Sequence, residues 1–454
     1  MNMKGGSAIA SGGFGCVFNP SIKCKNKKRL TGHVSKLLLT KYAESEINEV
    51  KSFINDLKSI KNYEDYFIIP EITCLPDKLT KEDKKNFDEK CFSLTNKNIN
   101  SNNINNKLNY LKIIQLQQGG KDMDEYFNSN AILPKKFINV NNLLIKLLYN
   151  GIFKMNKNNV YHLDIKGSNI LIKDEKLVRL IDWGLSEKIT SGIPIQLKYR
   201  PMHFNMPYSI VLLNDLMLHE INIFLQENNE NDFNYFNSLK TFLEKSYQNV
   251  FIKNVGKHHD DLINFILSNH VYSNKNSKDV IFSYMAQIVK HFTKNKKFDN
   301  EKYFKTVYLK NCDIWGFMCV YILLIIDNLH NIVLIPYDRD KFKEEVCSIF
   351  KNHIISNSYK PISIKSLIKD LIKLNSIFKQ TVNNQTKTLK NSKTTKSFNK
   401  NSYQFGLTKS ELIKKVNLSK KKVIKKGGKN TKKKITFYKK RKSKTFKISK
   451  KYTK

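Results

Sequence analysis

The fold is decided by the stretch Tyr161-His162-Leu163-Asp164-Ile165-Lys166-Gly167-Ser168-Asn169 and by Asp182-Trp183-Gly184, which follows it. The two segments have the patterns H-x-D-x-K-x-x-N and D-x-G, with Asp182 placed 18 residues after Asp164. In a chain this rich in lysine and asparagine, the first pattern arises by chance in about one chain in a hundred. Both patterns at this spacing arise in roughly one in tens of thousands. The combination indicates one site rather than polar residues on a surface loop.

The residue types in these segments suit the transfer of a phosphoryl group. Hard cations such as Mg²⁺ prefer oxygen ligands, which Asn169 and Asp182 can supply. Asp164 can accept the proton of an attacking hydroxyl, and a carboxylate suffices because the proton leaves late in a loose transition state. Lys166 can reach the transferring phosphate as a point charge. Two β-type runs, 169–172 and 177–181, predict a hairpin that brings the metal ligands together.

The two segments resemble the catalytic loop and the metal-binding loop of the protein kinase superfamily, with His-Arg-Asp written His162-Leu163-Asp164 and Asp-Phe-Gly written Asp182-Trp183-Gly184. The resemblance implies ATP and Mg²⁺ as cofactors, with Mn²⁺ as the alternative metal. Lysine two residues after the catalytic aspartate is similar to the serine/threonine branch. The implied reaction is transfer of the γ-phosphate to serine or threonine hydroxyls of protein substrates.

The N-terminal segment Ala10-Ser11-Gly12-Gly13-Phe14-Gly15-Cys16-Val17 resembles the kinase glycine-rich loop, with Ala10 in place of the first glycine. Such a loop holds phosphates through backbone N–H groups that glycine leaves accessible. By the resemblance, Phe14 lies at the loop tip and Val17 covers the adenine. The β-type runs 7–10 and 16–19 predict strands on either side.

The segment Val34-Ser35-Lys36 resembles the kinase lysine strand V-A-I-K, so Lys36 is expected to hold the α- and β-phosphates. The carboxylate partner of Lys36 is expected on an amphipathic helix predicted over 43–57. Glu46 is the first choice and Glu49 the alternative, because both lie about one helical turn apart on the same face.

Two further segments extend the resemblance. The kinase hinge is similar to the segment Ile113-Ile114-Gln115-Leu116-Gln117-Gln118-Gly119-Gly120. This segment begins inside a β run predicted over 108–116. By that alignment Ile114 is the gatekeeper, and the Gln115 carbonyl and Gln117 N–H face the adenine edge. Asn311-Cys312-Asp313-Ile314-Trp315-Gly316 resembles the D-x-W-x-G start of the central helix. Asp313 is expected to cap that helix and to hold the catalytic-loop backbone.

The sequence also departs from the common kinase pattern. Leu163 replaces the arginine that pairs with a phosphorylated activation loop, so we expect activity without such phosphorylation. Asp313 lies 131 residues after Asp182, a distance that implies a helical insertion at about 205–305. The pattern R-P-x-x-F-N-x-P-x-S at 200–209, together with V-S-K and the lysine-rich tail, looks like the serine/threonine kinases of giant and other large cytoplasmic DNA viruses. That resemblance implies the host cytoplasm or the virion as the location.

The charge of the chain is concentrated at one end. The net charge is +41 over 454 residues, and roughly +26 lies in residues 379–454, which contain the single acid Glu411. This tail has too few large apolar residues to offset its ordering entropy, so it is predicted to be disordered. Lysines interleaved with aromatic residues favour nucleic acid or another anionic surface as its partner.

Cysteines and apolar runs indicate a soluble intracellular protein. The seven cysteines are scattered and contain no C-x-x-C pair, so neither a disulfide framework nor a zinc site is expected. The run 317–326 is too short to cross a bilayer and is predicted to be a buried helix. No transmembrane segment is expected.

The predicted fold is α+β and bilobal, like that of protein kinases. Residues 7–120 form a small β-rich N-lobe and hinge, with a variable loop over 76–107. Residues 121–378 form a larger helical C-lobe that carries the helical insertion, and 379–454 form the disordered basic tail. Two alternative functions remain: a pseudokinase scaffold, and a basic nucleic-acid-binding or packaging protein with a secondary kinase domain.

Overall fold

A five-stranded antiparallel sheet forms the first lobe of the structure, a computed structural model that describes residues 6–11, 15–70, 72–129, 131–200, 202–252 and 277–394. Across the sheet the strands are, in order, β1 (Ser7–Ser11), β2 (Gly15–Asn19), β3 (His33–Leu39), β5 (Leu111–Gln117) and β4 (Ile72–Cys74). Apart from β4, for which the sequence predicts no run, the strands lie close to the predicted runs. They confirm the β-rich N-lobe of the α+β class.

Helix α1 (Thr40–Lys58) connects the sheet to the second lobe. Its apolar residues recur at helical spacing, so that one stripe is buried along its length. Ala43 and Ile47 pack with Leu38 and Ile114 of the sheet. The later residues of the stripe join the core of the second lobe: Val50, Phe53 and Leu57. The position of α1 therefore fixes the sheet relative to the helical lobe.

Residues 76–107 are folded, so the prediction of a variable loop is wrong. They form the short helices α2 (Phe87–Lys90) and α3 (Phe92–Thr95). Their buried side chains pack against the outer side of the sheet and are Leu79, Phe87, Leu94, Ile99 and Ile104. The apolar residues of this segment occur singly among lysines and asparagines. The composition of the segment therefore does not reveal that these residues form a small core.

Two disulfides cross-link the first lobe, contrary to the expectation of none, and one of them joins this segment to the sheet. Cys16 of β2 bonds Cys91 between α2 and α3, and Cys24 bonds Cys74 of β4. The paired cysteines are 75 and 50 residues apart in sequence, so no local spacing pattern predicts their pairing. Each bond forms because the sheet brings distant segments together.

These disulfides should stabilise the first lobe. A cross-link that closes a loop of this length contributes about 2–4 kcal/mol to the free energy of unfolding. We expect reductant to lower the melting temperature of the purified protein, whereas Cys347→Ser, which removes an unbonded thiol, should leave it nearly unchanged. Thiol titration of unreduced protein in denaturant should count three free thiols. A count of seven would contradict the pairing.

The second lobe is mainly helical and confirms the predicted larger C-lobe. A three-stranded sheet, β6 (Lys121–Asp122), β8 (Ile170–Lys173) and β9 (Leu177–Leu180), lies at its start, and β7 (Val160–Tyr161) pairs with β10 (Glu187–Lys188). The described helices of this lobe are α4 (Met123–Ser129), α5 (Pro134–Lys146), α6 (Phe153–Lys157), α7 (Ile195–Lys198), α8 (Asp215–Glu227), α9 (Tyr235–Tyr247), α10 (Ser277–Phe292), α11 (Asn300–Tyr303), α12 (Leu309–Asp327), α13 (Pro336–Phe350) and α14 (Ile364–Thr394).

Helix α12 is the centre of this lobe. Its side chains are buried on all sides, as the apolar run predicts. The continuous helical stretch Asn300–Asp327 is long and apolar enough to cross a membrane, but 83% of its apolar window is buried inside the fold. The core helix of a folded domain has the same composition, so the stretch carries no argument for a membrane span.

The region of the expected insertion, about 205–305, contains the 3₁₀ segment Tyr208–Leu213, helices α8 to α11 and a hairpin, β11 (Thr293–Lys294) and β12 (Lys297–Phe298). Helix α14 continues to Thr394, so residues 379–394 of the predicted disordered tail are helical. Its packed first half nucleates the helix, and elongation then adds one hydrogen bond per residue. The rest of the predicted tail, 395–454, lies outside the described residues.

Candidate active site

A row of side chains across the first sheet faces the second lobe. The strand register pairs Ala10 with Val17, Val17 with Lys36, and Lys36 with Ile114. Residues directly opposite each other in antiparallel strands point to the same face. Val17 and the expected gatekeeper Ile114 therefore flank Lys36. This is the geometry that the resemblance implies for a nucleotide pocket.

The glycine-rich turn is described only at its ends. Ser11 Oγ contacts the Gly15 carbonyl at 3.3 Å, and Ser93 Oγ donates to the same carbonyl at 2.8 Å. A Cβ at Gly15 would lie 2.5 Å from the Leu37 carbonyl oxygen, so only glycine allows β2 to approach β3 this closely. Gly12, Gly13 and Phe14 lie outside the described residues.

Lys36 joins the two lobes electrostatically. Its Nζ donates to Glu46 Oε2 at 2.7 Å and to Asp182 Oδ1 at 3.2 Å. Burial acts to lower the pKa of Lys36, but the carboxylates of Asp182 and Glu46 more than offset it, so the pKa is raised and the ammonium stays charged. Glu49, the alternative partner, is exposed and accepts a bond from Ser45 Oγ at 2.8 Å.

Helix α12 holds the catalytic loop through Asp313. The buried carboxylate accepts the backbone N–H of His162 at 2.9 Å and that of Leu163 at 2.8 Å. The expectation that Asp313 caps the helix is wrong, because α12 begins at Leu309 and Asp313 lies inside it. Leu163 has φ of 59°, a left-handed conformation that a bulky residue rarely adopts. The two bonds to Asp313 hold that conformation in place.

The Asp164 carboxylate is fixed by several donors. Its Oδ2 accepts Lys166 Nζ at 2.7 Å and Asn169 Nδ2 at 3.0 Å. Burial acts to raise the pKa of this carboxyl. Lys166, Asn205 and Arg200 together more than offset burial, so the pKa lies below its ordinary value. Asp164 therefore stays ionised at neutral pH, as a proton acceptor must.

Asn169 and Asp182 fit a divalent cation through oxygen atoms. Both hydrogen bonds of the Asn169 amide to Asp164 use its Nδ2, which leaves Oδ1 as the atom that can bind a metal. Asp182 has φ of 66°, and its half-exposed carboxylate faces the cleft beside Lys36. Among the residues that the structure describes, no cluster of three Asp, Glu, His or Cys side chains could hold a metal. A nucleotide-bound Mg²⁺ needs only one or two protein carboxylates, because phosphates and water complete its shell.

Trp183 fixes the metal-binding loop. Its indole Nε1–H donates to the Ile68 carbonyl at 2.8 Å, and its ring contacts Phe53 of α1 and Phe67. A phenylalanine at this position would lack the hydrogen bond. The tryptophan therefore ties Asp182 to both α1 and the segment before β4.

The expected hinge residues lie at the end of β5. Gln115 Nε2 donates to the Ile22 carbonyl at 3.3 Å, and Gln117 Oε1 accepts Arg179 Nη1 at 3.1 Å. Both side chains thus have partners within the protein. The role expected of these residues involves only backbone groups, so it stays a proposal.

Three residues near Asp164 were missed from the sequence. Arg200 and Asn205 contact the carboxylate from the chain beyond α7. Asp124 of α4 lies so close to the catalytic loop that a Cβ at Gly167 would be 1.8 Å from its Oδ1. Burial, with Asp122 and Asp327, raises the pKa of Asp124 to about 6. Arg200 and Asn205 belong to the pattern R-P-x-x-F-N-x-P-x-S at 200–209, but that pattern does not show that they contact Asp164. No sequence pattern marks Asp124, and each of the three residues reaches the loop only through the tertiary fold.

The two lobes around one polar cleft, with a buried lysine–glutamate pair above and a carboxylate–lysine–amide cluster below, have the architecture of the protein kinase fold. Residues 4–204 match the family model described as the protein kinase domain. The match places residues 4–204 in the protein kinase superfamily, as the two loop motifs predict. It ends where the expected insertion begins.

Curated relatives match shorter parts of the chain. Calcium-dependent protein kinase 4 of Plasmodium berghei (strain Anka) is 37% identical over 82 residues, which are 17% of this chain and 15% of that protein. A mitogen-activated protein kinase kinase kinase of Pyricularia oryzae is 29% identical over 80 residues, 18% of this chain and 8% of that protein. These matches cover less than a fifth of either relative's length.

Proposed function

We propose that the protein transfers the γ-phosphate of ATP to serine or threonine hydroxyls of protein substrates. The observation that carries the proposal is the convergence of Lys36, Asp182 and the Asp164 cluster on one cleft. Bound with magnesium, ATP would supply the phosphoryl group. The Asn169 amide oxygen and the Asp182 carboxylate are the proposed metal ligands.

The charges of the cleft support this assignment. Phosphoryl transfer depends chiefly on positioning and on stabilising the charge of the phosphate oxygens. Lys36 stays charged and is held from two sides, so it can bind phosphate without reorganising. Lys166 lies beside Asp164, where it can neutralise charge on a phosphate that approaches the attacking hydroxyl.

The serine/threonine specificity rests on Lys166, which the resemblance associates with that branch. The pseudokinase alternative predicts the same fold without turnover, so only an assay separates the two.

The test is phosphate transfer from γ-labelled ATP to a generic basic protein in the presence of Mg²⁺, followed by phosphoamino-acid analysis. We expect label on serine and threonine, and none when Mg²⁺ is chelated. Label on tyrosine alone would contradict the specificity. Absence of label with Mg²⁺ or Mn²⁺ would favour the pseudokinase reading.

A further inference from the structure

The chain beyond α7 passes beneath the catalytic loop and contacts the proposed catalytic base. Asn205 Nδ2 donates to Asp164 Oδ1 at 2.9 Å and lies 3.2 Å from the Ile165 carbonyl oxygen. Arg200 Nη2 lies 3.6 Å from the same carboxylate oxygen. Both contacts span about 40 residues of sequence. They join the chain that follows Asp182, which the kinase resemblance identifies as the activation segment, to the Asp164 carboxylate.

Both side chains are buried. The Arg200 side chain is 10% exposed, and Asn205 is 3% exposed. A guanidinium removed from water is costly unless an anion faces it, and here that anion is the Asp164 carboxylate. The positions of the two residues therefore depend on Asp164, and the position of Asp164 depends on them.

Helix α12 anchors the segment that carries them. The carbonyl of Phe204 accepts Trp315 Nε1 at 3.0 Å and the Cys319 thiol at 3.1 Å. A Cβ at Gly316 would lie 2.5 Å from the Ile165 carbonyl oxygen and 3.1 Å from that of Asn205. Glycine thus lets the catalytic loop and this segment pack on the same turn of α12.

Hydrogen-bond donors contact both oxygens of the Asp164 carboxylate. Lys166 and Asn169 occupy Oδ2, while Asn205 occupies one lone pair of Oδ1. A carboxylate oxygen has two lone pairs, and the Arg200 contact is too long for a hydrogen bond, so Oδ1 keeps an acceptor site. Donors on both oxygens prevent the carboxylate from rotating.

We propose that Arg200 and Asn205 are positioning residues that orient the Asp164 carboxylate toward the substrate hydroxyl. The inference rests on the proposed kinase function and extends it. In this arrangement the side chains of Arg200 and Asn205, rather than a phosphorylated residue, join the activation segment to the catalytic loop. Leu163, which stands where the resemblance predicts a phosphate-binding arginine, is itself buried. The arrangement therefore needs no phosphorylation of the activation segment.

The test compares steady-state kinetics and melting temperatures of the full chain and four variants. Asn205→Leu removes the amide at similar volume, and Arg200→Met removes the charge. Arg200→Lys keeps the charge, and Arg339→Met is the matched control, since the Arg339 side chain donates to the Leu334 carbonyl rather than to the Asp164 carboxylate. Each protein is assayed before and after phosphatase treatment.

We expect Asn205→Leu and Arg200→Met to lower kcat by about tenfold to a hundredfold, because small misplacements of a catalytic group have effects of this size. The KM for ATP should stay within about twofold, since neither residue contacts the nucleotide site. Arg200→Lys should recover part of the lost kcat, and phosphatase should change nothing.

Unchanged kcat in both variants of an active wild-type enzyme would overturn the inference while leaving the proposed function intact. Lower kcat accompanied by an equal loss in Arg339→Met, or by a collapse of the melting temperature, would assign the two residues a merely structural role and also overturn it. An inactive wild type would overturn the proposed function itself, and the inference with it.

Discussion

Replacing Asp164 with asparagine is expected to lower kcat by about 10³-fold, within the range found for general bases. Asparagine has the same shape, but its amide cannot accept a proton, and its NH₂ group would face the donors that now bind the carboxylate. The KM for ATP should change by less than about threefold, because Asp164 acts on the hydroxyl rather than on the nucleotide. Initial rates of transfer to a basic protein substrate measure both constants.

Asp174→Asn is the matched control for this variant. Asp174 is exposed in the turn between β8 and β9, so the same chemical change there should leave kcat unaltered. If Asp164→Asn retained more than about a tenth of wild-type turnover, Asp164 would not be the base. An equal loss in Asp174→Asn would instead point to a general effect on folding.

Replacing Lys36 with methionine is expected to lower kcat/KM by about 10²–10³-fold, the loss typical of removing one preorganised electrostatic contact. The ammonium bridges Glu46 and Asp182, so its removal takes away the proposed phosphate contact and also frees the proposed metal-binding carboxylate. The protein should remain folded, because burial already raises the pKa of Glu46 and its protonation removes the unpaired charge. Circular dichroism checks the fold, and Lys41→Met, at an exposed site on α1, is the control.

Glu46 and Glu49 offer a second matched pair for the same contact. Glu46→Gln should lower kcat/KM, though less than Lys36→Met, since the amide oxygen still accepts a hydrogen bond from the lysine. Glu49→Gln should have no effect, because Glu49 is exposed and its side chain accepts a hydrogen bond from Ser45 on the same helix. Equal loss in both variants would contradict the assignment of Glu46 as the partner.

The candidate catalytic residues could be placed in one site from the sequence because their motifs are local. Asp164, Lys166 and Asn169 lie within one short loop, and the hairpin β8–β9 returns the chain to Asp182. The spacing of these residues is therefore set by local backbone geometry. The fold class followed from the same stretch, together with the glycine-rich turn and the buried apolar run that became α12.

The choice between Glu46 and Glu49 needed the tertiary structure. Both lie near one face of α1, but Ala43, Ile47 and Val50 define the stripe that packs inward, and Glu46 falls on it. The sequence shows the period of the helix more clearly than its rotation about its axis. That rotation is fixed only by packing against the sheet.

The remaining differences arise from contacts between residues distant in sequence. Arg200 and Asn205 reach Asp164 because α12 fixes both segments. Cys16 and Cys91 meet because residues 76–107 fold against the sheet, although their composition suggests a polar loop. No local period or spacing encodes such contacts, so sequence patterns alone could not have placed them.

Calorimetry with a non-hydrolysable ATP analogue is the most direct test of the central claim, that Asn169 and Asp182 hold a nucleotide-bound metal beneath Lys36. The account predicts one site that binds the analogue with Mg²⁺ present, and much weaker binding with a chelator or in Asp182→Asn. Binding that is absent, or that is unaffected by both the chelator and the substitution, would contradict it.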